Sequence, residues 1–235
     1  MESNFFQRLV NIPLFQGITR DDFMAIAAKI HFDFRTYQPG DIIVFADQPC
    51  NTLICTVTGS IAKEMRSDDG RYLFREISDK PTIIQPDRLF GLRPRYSATF
   101  TAVKETTLLT IPKNEVRDVL FNYPTIHINY LNFICTAKQV WESRLWKRLP
   151  APLEERFLYF ILARSTRPAG RKELHIGMVD LADELVTTRL NISKMLNELK
   201  ENDLIYLSRG HIIIPEVEKL VTRQQNKASV RPLNS

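Results

Sequence analysis

Between residues 32 and 111, apolar and polar side chains alternate in short runs separated by turn-forming residues. In the run NTLICTVTGSIAKEM, the side chains of Leu53, Cys55 and Val57 share one face. This period of two is typical of a β-strand. Pro39-Gly40 and Asp69-Gly70 mark turns between such runs. Many short strands at this spacing predict a closed antiparallel β-roll or jelly roll.

Two segments follow a helical period instead. Residues 19–30 form a short amphipathic helix with Thr19 as its N-cap. After Pro112 the pattern stays helical, and residues 125–148 carry two adjacent apolar lines. Two apolar lines are costly to expose, so we expect a homodimer packed through this helix. The expected dimer residues are Tyr130, Ile134, Ala137, Trp141 and Leu145. The alternative is a monomer that covers the helix intramolecularly.

Two prolines divide the helical region. Pro150 and Pro152 cannot continue a helix, so residues 149–153 are interpreted as a hinge before a helix over residues 154–163. The predicted fold class is α+β. It has an N-terminal β-roll over residues 1–112, a dimerisation helix region over 113–148 and a winged helix-turn-helix domain over 149–221. A polar tail over residues 222–235 is expected to be disordered.

The segment from Asp180 to Pro215 reads as two helices and a hairpin. At 100° per residue from Thr188, apolar side chains such as Ile192 and Leu196 fall on one face of the second helix. Leu190 and Lys194 fall on the opposite face. The preceding helix supplies an apolar surface for packing, Val186-Thr187 forms the turn, and β-branched runs flank Arg209-Gly210 as a wing.

A helix supported in this way projects its first residues from the protein, as in proteins that read the DNA major groove. Charge agrees with this interpretation. The chain has 32 Lys and Arg against 27 Asp and Glu, and most of the excess lies in the C-terminal part. The predicted DNA-contacting residues are Thr188, Arg189, Leu190, Ser193, Lys194, Asn197 and Arg209.

The segment LADELVTTRLNISKMLNELKENDLI and its hairpin resemble the winged helix-turn-helix of the CRP/FNR family of bacterial transcription regulators. The resemblance covers nearly the whole chain: YQPGDIIVFADQPCNTLICTVTGSIAKEM is similar to the family's β-roll, and LFGL with the later YSATFTAV is similar to its phosphate-binding cassette. It implies a homodimer that binds double-stranded DNA at an inverted repeat, with RNA polymerase as a further candidate partner.

The cassette departs from the cyclic-AMP-binding members of the family. Those members carry Phe-Gly-Glu-Leu and Arg-Ser-Ala, whereas here Leu92 follows Gly91 and Tyr96 precedes Ser97. Trp141 stands where the family's adenine contact is expected. We therefore expect that cyclic AMP is not the effector, and that an unknown small molecule or none takes its place. The candidate pocket residues are Gly91, Leu92, Arg93, Arg95, Tyr96, Ser97 and Trp141.

Other function classes find little support. Three cysteines without a CxxC pair are interpreted as buried apolar residues in a reducing compartment. No group of Cys or His has metal-ligand spacing, so no metal site is predicted. An axial haem ligand remains open because four histidines are scattered along the chain: His31, His127, His175 and His211.

No catalytic motif appears, so an enzyme is not expected. There is also no signal peptide and no membrane span, and we expect a cytoplasmic protein. The alternative to a DNA-binding regulator is a small-molecule sensor or protein-interaction module without specific DNA binding. Affinity for random duplex DNA at low salt distinguishes the two.

Overall fold

The computed structural model describes residues 2–230, which divide into two compact units. The first unit runs to Lys63 and resumes over Ser78–Glu142. The second unit contains Glu64–Ile77 and everything from Ser143 onward. The predicted β-roll domain, residues 1–112, includes residues 64–77, which belong to the second unit in the structure. Their place in the second unit has a physical cause, because their strand pairs with a strand of that unit.

In chain order, the strands are β1 (Asp33–Tyr37), β2 (Ile42–Val44), β3 (Thr52–Arg66), β4 (Tyr72–Ser78), β5 (Ile83–Ile84), β6 (Thr99–Pro112), β7 (Lys172–Ile176), β8 (Tyr206–Ser208) and β9 (His211–Ile214). The α-helices are α1 (Glu2–Val10), α2 (Arg20–Ala27), α3 (Lys113–Asp118), α4 (Pro124–Leu145), α5 (Leu153–Arg164), α6 (Met178–Glu184), α7 (Arg189–Glu201) and α8 (Val217–Val230).

The first unit is the antiparallel β-domain that the alternating pattern predicts. Strand β6 pairs with both β1 and β2, and β3 pairs with β5. Gly59 allows β3 to approach β6 closely: its φ is +102°, and a Cβ there would lie 2.5 Å from Thr106 Cα. Only glycine tolerates both constraints. The predicted helix after Thr19 is confirmed as α2, and the Thr19 side chain accepts a hydrogen bond from Asp22 N.

The beginning of α4 packs inside the first unit. Ile126 and Tyr130 are buried, and the Tyr130 hydroxyl donates to Pro86 O at 2.7 Å. The Tyr130 ring lies 5.1 Å from the Phe121 ring between centroids. Tyr130 was predicted as a dimer residue. Its side chain instead anchors α4 within its own chain, because its aromatic ring and its hydroxyl both find partners there.

The second unit is built on the sheet order β4-β7-β9-β8. Strand β4 pairs with β7 from Tyr72↔Ile176 to Glu76↔Lys172. One face of this sheet joins α5, α6, α7 and α8 in a single apolar core, which includes Phe74, Phe157, Leu174, Leu181, Ile192, Leu196, Ile212 and Leu220. The winged helix-turn-helix architecture is therefore confirmed, with β4 as an added strand.

A buried ion pair joins β4 to β7. Lys172 Nζ lies 2.9 Å from Glu76 Oε1, and the two side chains are 1% and 7% exposed. Glu76 also accepts hydrogen bonds from the backbone N–H groups of Thr166 and Arg167. Burial by itself raises the pKa of Glu76, but Lys172 and these two donors outweigh it and leave that pKa below its usual range.

The end of the chain differs from the predicted disordered tail. Residues 222–230 belong to α8 instead, and residues 231–235 lie outside the described range. Leu220 is buried in the core, and Arg223 and Lys227 form ion pairs with Glu154 of α5. The polar composition of this segment therefore reflects a helix with a solvated face.

The three cysteines differ in their exposure to solvent. Cys50 and Cys55 are buried as expected, and burial raises the pKa of Cys55 to about 12. Cys135 is exposed on α4, so its interpretation as a buried residue is wrong for the single chain.

Within residues 2–230, no helix is both long enough and apolar enough to span a bilayer.

Candidate nucleic-acid interface and ligand cassette

The turn between α6 and α7 is held from three sides. Val186 adopts φ +50°, a conformation that is unfavourable for a β-branched residue. Arg156 Nη1 donates to Leu185 O at 2.6 Å and to Val186 O at 3.0 Å, and Thr187 N donates to Ala182 O at 3.0 Å. These contacts stabilise the turn that sets the direction of α7.

Helix α7 begins at a side-chain cap and buries one face. Thr188 Oγ1 accepts from Asn191 N at 3.3 Å, and Asn191 Nδ2 donates to Thr187 Oγ1 at 3.2 Å. The face predicted to pack is buried in full, and comprises Ile192, Met195, Leu196 and Leu199. The cap fixes the residue at which α7 begins, and Arg189 and Leu190 of its first turn are exposed.

The opposite face of α7 is open. Arg189, Lys194 and Asn197 are exposed, and Leu190 is 64% exposed. Ser193 is half-buried, so it is the least accessible member of the predicted set. The structure thus brings the predicted polar and basic side chains onto one surface of the helix.

Three cations, two on this face of α7 and one in the loop between β8 and β9, are not neutralised within the described part of the chain. The side chains of Arg189, Lys194 and Arg209 make no hydrogen bond or ion pair with any residue that the structure describes. Other arginines of the unit are held internally: Arg164 pairs with Glu184, and Arg223 pairs with Glu154 and Glu198. The free cations are available to an anionic partner.

The wing is a tight hairpin. Ser208 pairs with His211, which leaves Arg209-Gly210 as a two-residue loop, and Gly210 has φ +69°. Arg209 is exposed at this tip, and Tyr206 is 58% exposed on β8. A basic, solvent-facing hairpin tip suits contact with a phosphate.

The cassette residues do not converge on one point. Leu92 and Arg93 face solvent after Gly91, whose φ is +98°. Arg95 Nη1 donates to Asp47 O at 2.5 Å, so the guanidinium is bound to its own backbone.

Tyr96, in contrast, points into the β-domain. Its hydroxyl donates to Thr52 O at 3.1 Å, and burial together with a hydrogen bond to Cys50 raises the pKa of its phenol. Ser97 is occupied by Gln85, which donates to Ser97 Oγ at 2.6 Å and accepts from Ser97 N at 2.9 Å.

Apolar side chains are exposed along the second part of α4. Trp141 is 59% exposed and Leu145 is 60% exposed, while Ile134 is half-buried. Ala137 is also exposed. The sequence reasoning did not include Trp146, which is 86% exposed just after the helix. An apolar patch of this kind on a single chain marks an interaction surface.

Two family models match the chain. The cyclic nucleotide-binding domain matches residues 34–123, and the Crp-like helix-turn-helix domain matches residues 155–223. Together they cover about two thirds of the chain, in the order of the two units. The chain belongs to the CRP/FNR family. Members of this family are transcriptional regulators, and neither matched domain is an enzymatic one.

Several solved structures are similar to this chain at low identity. The Thermus thermophilus catabolite activator protein is 17% identical, with a TM-score of 0.47, and the match covers 91% of this chain and 99% of that one. A regulator from Eubacterium rectale is 22% identical, with a TM-score of 0.49 over 91% and 98% of the chains. FixK2 from Bradyrhizobium japonicum is 16% identical, with a TM-score of 0.48 over 82% and 97%. No curated protein matches in sequence.

Sequence reasoning missed two features of this CRP/FNR regulator. Arg156 lies 30 residues before Val186, and nothing in its helical pattern indicates that it stabilises the turn. Glu173, His175 and His211 lie together on the second unit, although their sequence spacing resembles no metal motif. Strand pairing alone brings them together.

Proposed function

We propose that this chain is a sequence-specific DNA-binding regulator that binds an inverted-repeat operator as a homodimer, without cyclic AMP as its effector. The observation that carries the DNA part is the set of unpaired, exposed cations at the start of α7 and at the wing tip, Arg189, Lys194 and Arg209. Carboxylates of the same unit hold Arg164 and Arg223, whereas these three cations are available to phosphates and bases.

The beginning of α7 supports a specific reading of bases. An arginine fork donates two parallel hydrogen bonds to guanine O6 and N7, and Arg189 is free to do so. Leu190 offers no hydrogen bond but can contact the methyl group of thymine. Lys194, one turn further along, can reach a base edge or a phosphate. We therefore propose a guanine in each half-site, with thymine or tolerance at the neighbouring step.

The exposed apolar residues of α4 support the dimer. A second copy that packs along Ile134, Trp141 and Leu145 buries the same patch from both chains, as a two-fold axis requires. Each half of the operator then contacts helix α7 of one chain, and the half-site centres lie about one turn of the DNA helix apart.

The cassette argues against cyclic AMP as the effector, and leaves another small molecule or none in its place. Leu92 presents no acceptor for a ribose hydroxyl, Tyr96 is buried with its hydroxyl bonded to backbone, and Arg95 is bound to Asp47 O. A cyclic phosphate needs a directed, charge-assisted donor pair, and none of these three side chains supplies one.

The direct test is fluorescence anisotropy of a labelled random duplex at low salt, with and without cyclic AMP. We expect binding that weakens steeply as salt rises, because counterions are released from each neutralised phosphate. Arg189→Ala combined with Lys194→Ala should lower this affinity, whereas Lys200→Ala, at the far end of the same helix, should leave it nearly unchanged.

The assay can contradict the DNA part and the effector part of the proposal separately. Negligible affinity for the wild-type protein favours the protein-interaction module. An affinity that rises with micromolar cyclic AMP contradicts the effector part of the proposal and leaves the DNA part intact.

A further inference from the structure

Three side chains with metal-binding atoms share the outer face of the sheet β4-β7-β9-β8, here called the wing sheet. His175 of β7 lies directly opposite His211 of β9 in the register. Glu173 is two residues before His175 and therefore points to the same face. The other face of these strands belongs to the apolar core, with Leu174 and Ile212. The cluster thus lies on the solvent side of the sheet, on rigid paired strands.

The spacing of the atoms suits a single small ion. One ligand atom from each of Glu173, His175 and His211 lies within 4.8 Å of the others. The two imidazole rings are stacked with centroids 3.9 Å apart, and His211 Nε2 lies 3.9 Å from Glu173 Oε2. Ligands of a tetrahedral Zn²⁺ lie about 3.4 Å apart. Because the lone pairs of stacked imidazoles do not converge, the exposed His175 ring must rotate out of the stack to close the site.

One ligand atom is also left without a partner. His211 Nε2 is buried and has no hydrogen-bond partner within residues 2–230. Leaving a buried ring nitrogen unsatisfied is costly, and a bound ion would satisfy it. His175 is exposed and Glu173 is buried, so one side of the cluster is open to solvent while the other is fixed.

We propose that Glu173, His175 and His211 form a binding site for one divalent transition-metal ion of the class that prefers imidazole, such as Zn²⁺, with a remaining position open to water. Two histidines and one carboxylate with an open position are a common ligand set for this class. An ion there would link β7 to β9 directly beside the wing loop Arg209-Gly210, which limits the movement of the wing. The site does not depend on the proposed function.

Two arginines compete with the ion for Glu173. Arg171 Nε donates to Glu173 Oε1 at 2.8 Å, and Arg75 Nη1 donates to Glu173 Oε2 at 3.2 Å. A carboxylate offers about four lone-pair positions, so an ion can share Glu173 with them. Their positive charges nevertheless weaken the site. Arg171 is 49% exposed and can be removed without opening the core.

The test is isothermal titration of the metal-stripped, full-length protein with Zn²⁺. We expect one high-affinity ion per chain that His175→Gln weakens about tenfold or more, since even indirect partners of a metal site contribute that much. His211→Gln should have the same effect. Arg171→Ala should tighten binding, because it frees Glu173 from a competing cation. The matched control is His31→Gln, an exposed histidine of the first unit, which should not change the affinity.

The variants also separate this site from others in the chain. If Zn²⁺ is bound by cysteines, neither histidine substitution changes its affinity. That result, or the absence of binding, overturns the proposal. If Arg171→Ala leaves the Zn²⁺ affinity unchanged or lowers it, the role of Glu173 as a ligand is overturned. If His211→Gln does not fold, as judged by circular dichroism, His175→Gln decides, because His175 is exposed. Mg²⁺ should not compete, because it prefers oxygen ligands.

Discussion

We propose Arg189 as the residue on which sequence discrimination depends. Replacing it with alanine removes the donor fork at the first position of α7 without touching the buried face of the helix. We expect Arg189→Ala to cost about 1–3 kcal/mol at a selected operator and much less on scrambled DNA. Anisotropy with the two duplexes measures both values, and Lys200→Ala serves as the control on the same helix. Equal weakening on both duplexes would identify Arg189 as a phosphate contact.

Single residues also show where sequence reasoning succeeds. The outward positions of Arg189, Leu190 and Lys194 follow from the helical period alone, because a helix with one apolar face has only one orientation on a core. Glu173 and His211 are different. Their proximity depends on which strands pair and in which register, and a local pattern contains neither.

At the scale of elements, β4 is held to the wing sheet by an ion pair that is almost fully buried. Replacing Glu76 with glutamine leaves the Lys172 charge buried without a counter-charge, and such a loss costs about 3–5 kcal/mol. The unfolding free energy from denaturant titration should fall by that order. Glu216→Gln breaks an exposed pair with Lys219 in the same unit and should leave the unfolding free energy nearly unchanged, because solvent screens that pair. Similar losses for both variants would contradict a structural role for the buried pair.

The same pair gives the element a pH dependence. Because the pKa of Glu76 is lowered in the folded chain, its contribution is fully present above the ordinary glutamate range and is lost as pH falls through the folded value. Stability of the wild-type protein should therefore decline below about pH 4, near the unfolded glutamate value. The Glu76→Gln variant should show a shallower decline. Parallel curves would assign the acid sensitivity to other groups.

Elements differ in how far the chain's pattern predicts them. The strands of the β-domain and helices α4, α5 and α7 follow from periodicity and proline positions. The pairing of β4 with β7 joins residues about a hundred positions apart, and local periodicity does not record such a partner. The pattern does not predict helix α8 because its polar face dominates the composition, while Val217 and Leu220 place its buried face in the core.

At the scale of the whole molecule, the proposed dimer packs through α4. Ile134→Glu combined with Trp141→Glu should yield monomers, because two copies would bury charges in an apolar seam. Sedimentation velocity measures the state. Thr136→Glu, on an exposed and different face of α4, is the matched control and should remain dimeric. A dimer that survives the double substitution would remove α4 as the interface.

The central claim is that two copies of α7 read a symmetric operator. Selection of bound duplexes from a random DNA pool tests this most directly, because it presupposes no target sequence. We expect an enriched inverted repeat with a guanine in each half-site and half-site centres about 10 base pairs apart. An enriched sequence without two-fold symmetry, or a pool that shows no enrichment, would contradict the account.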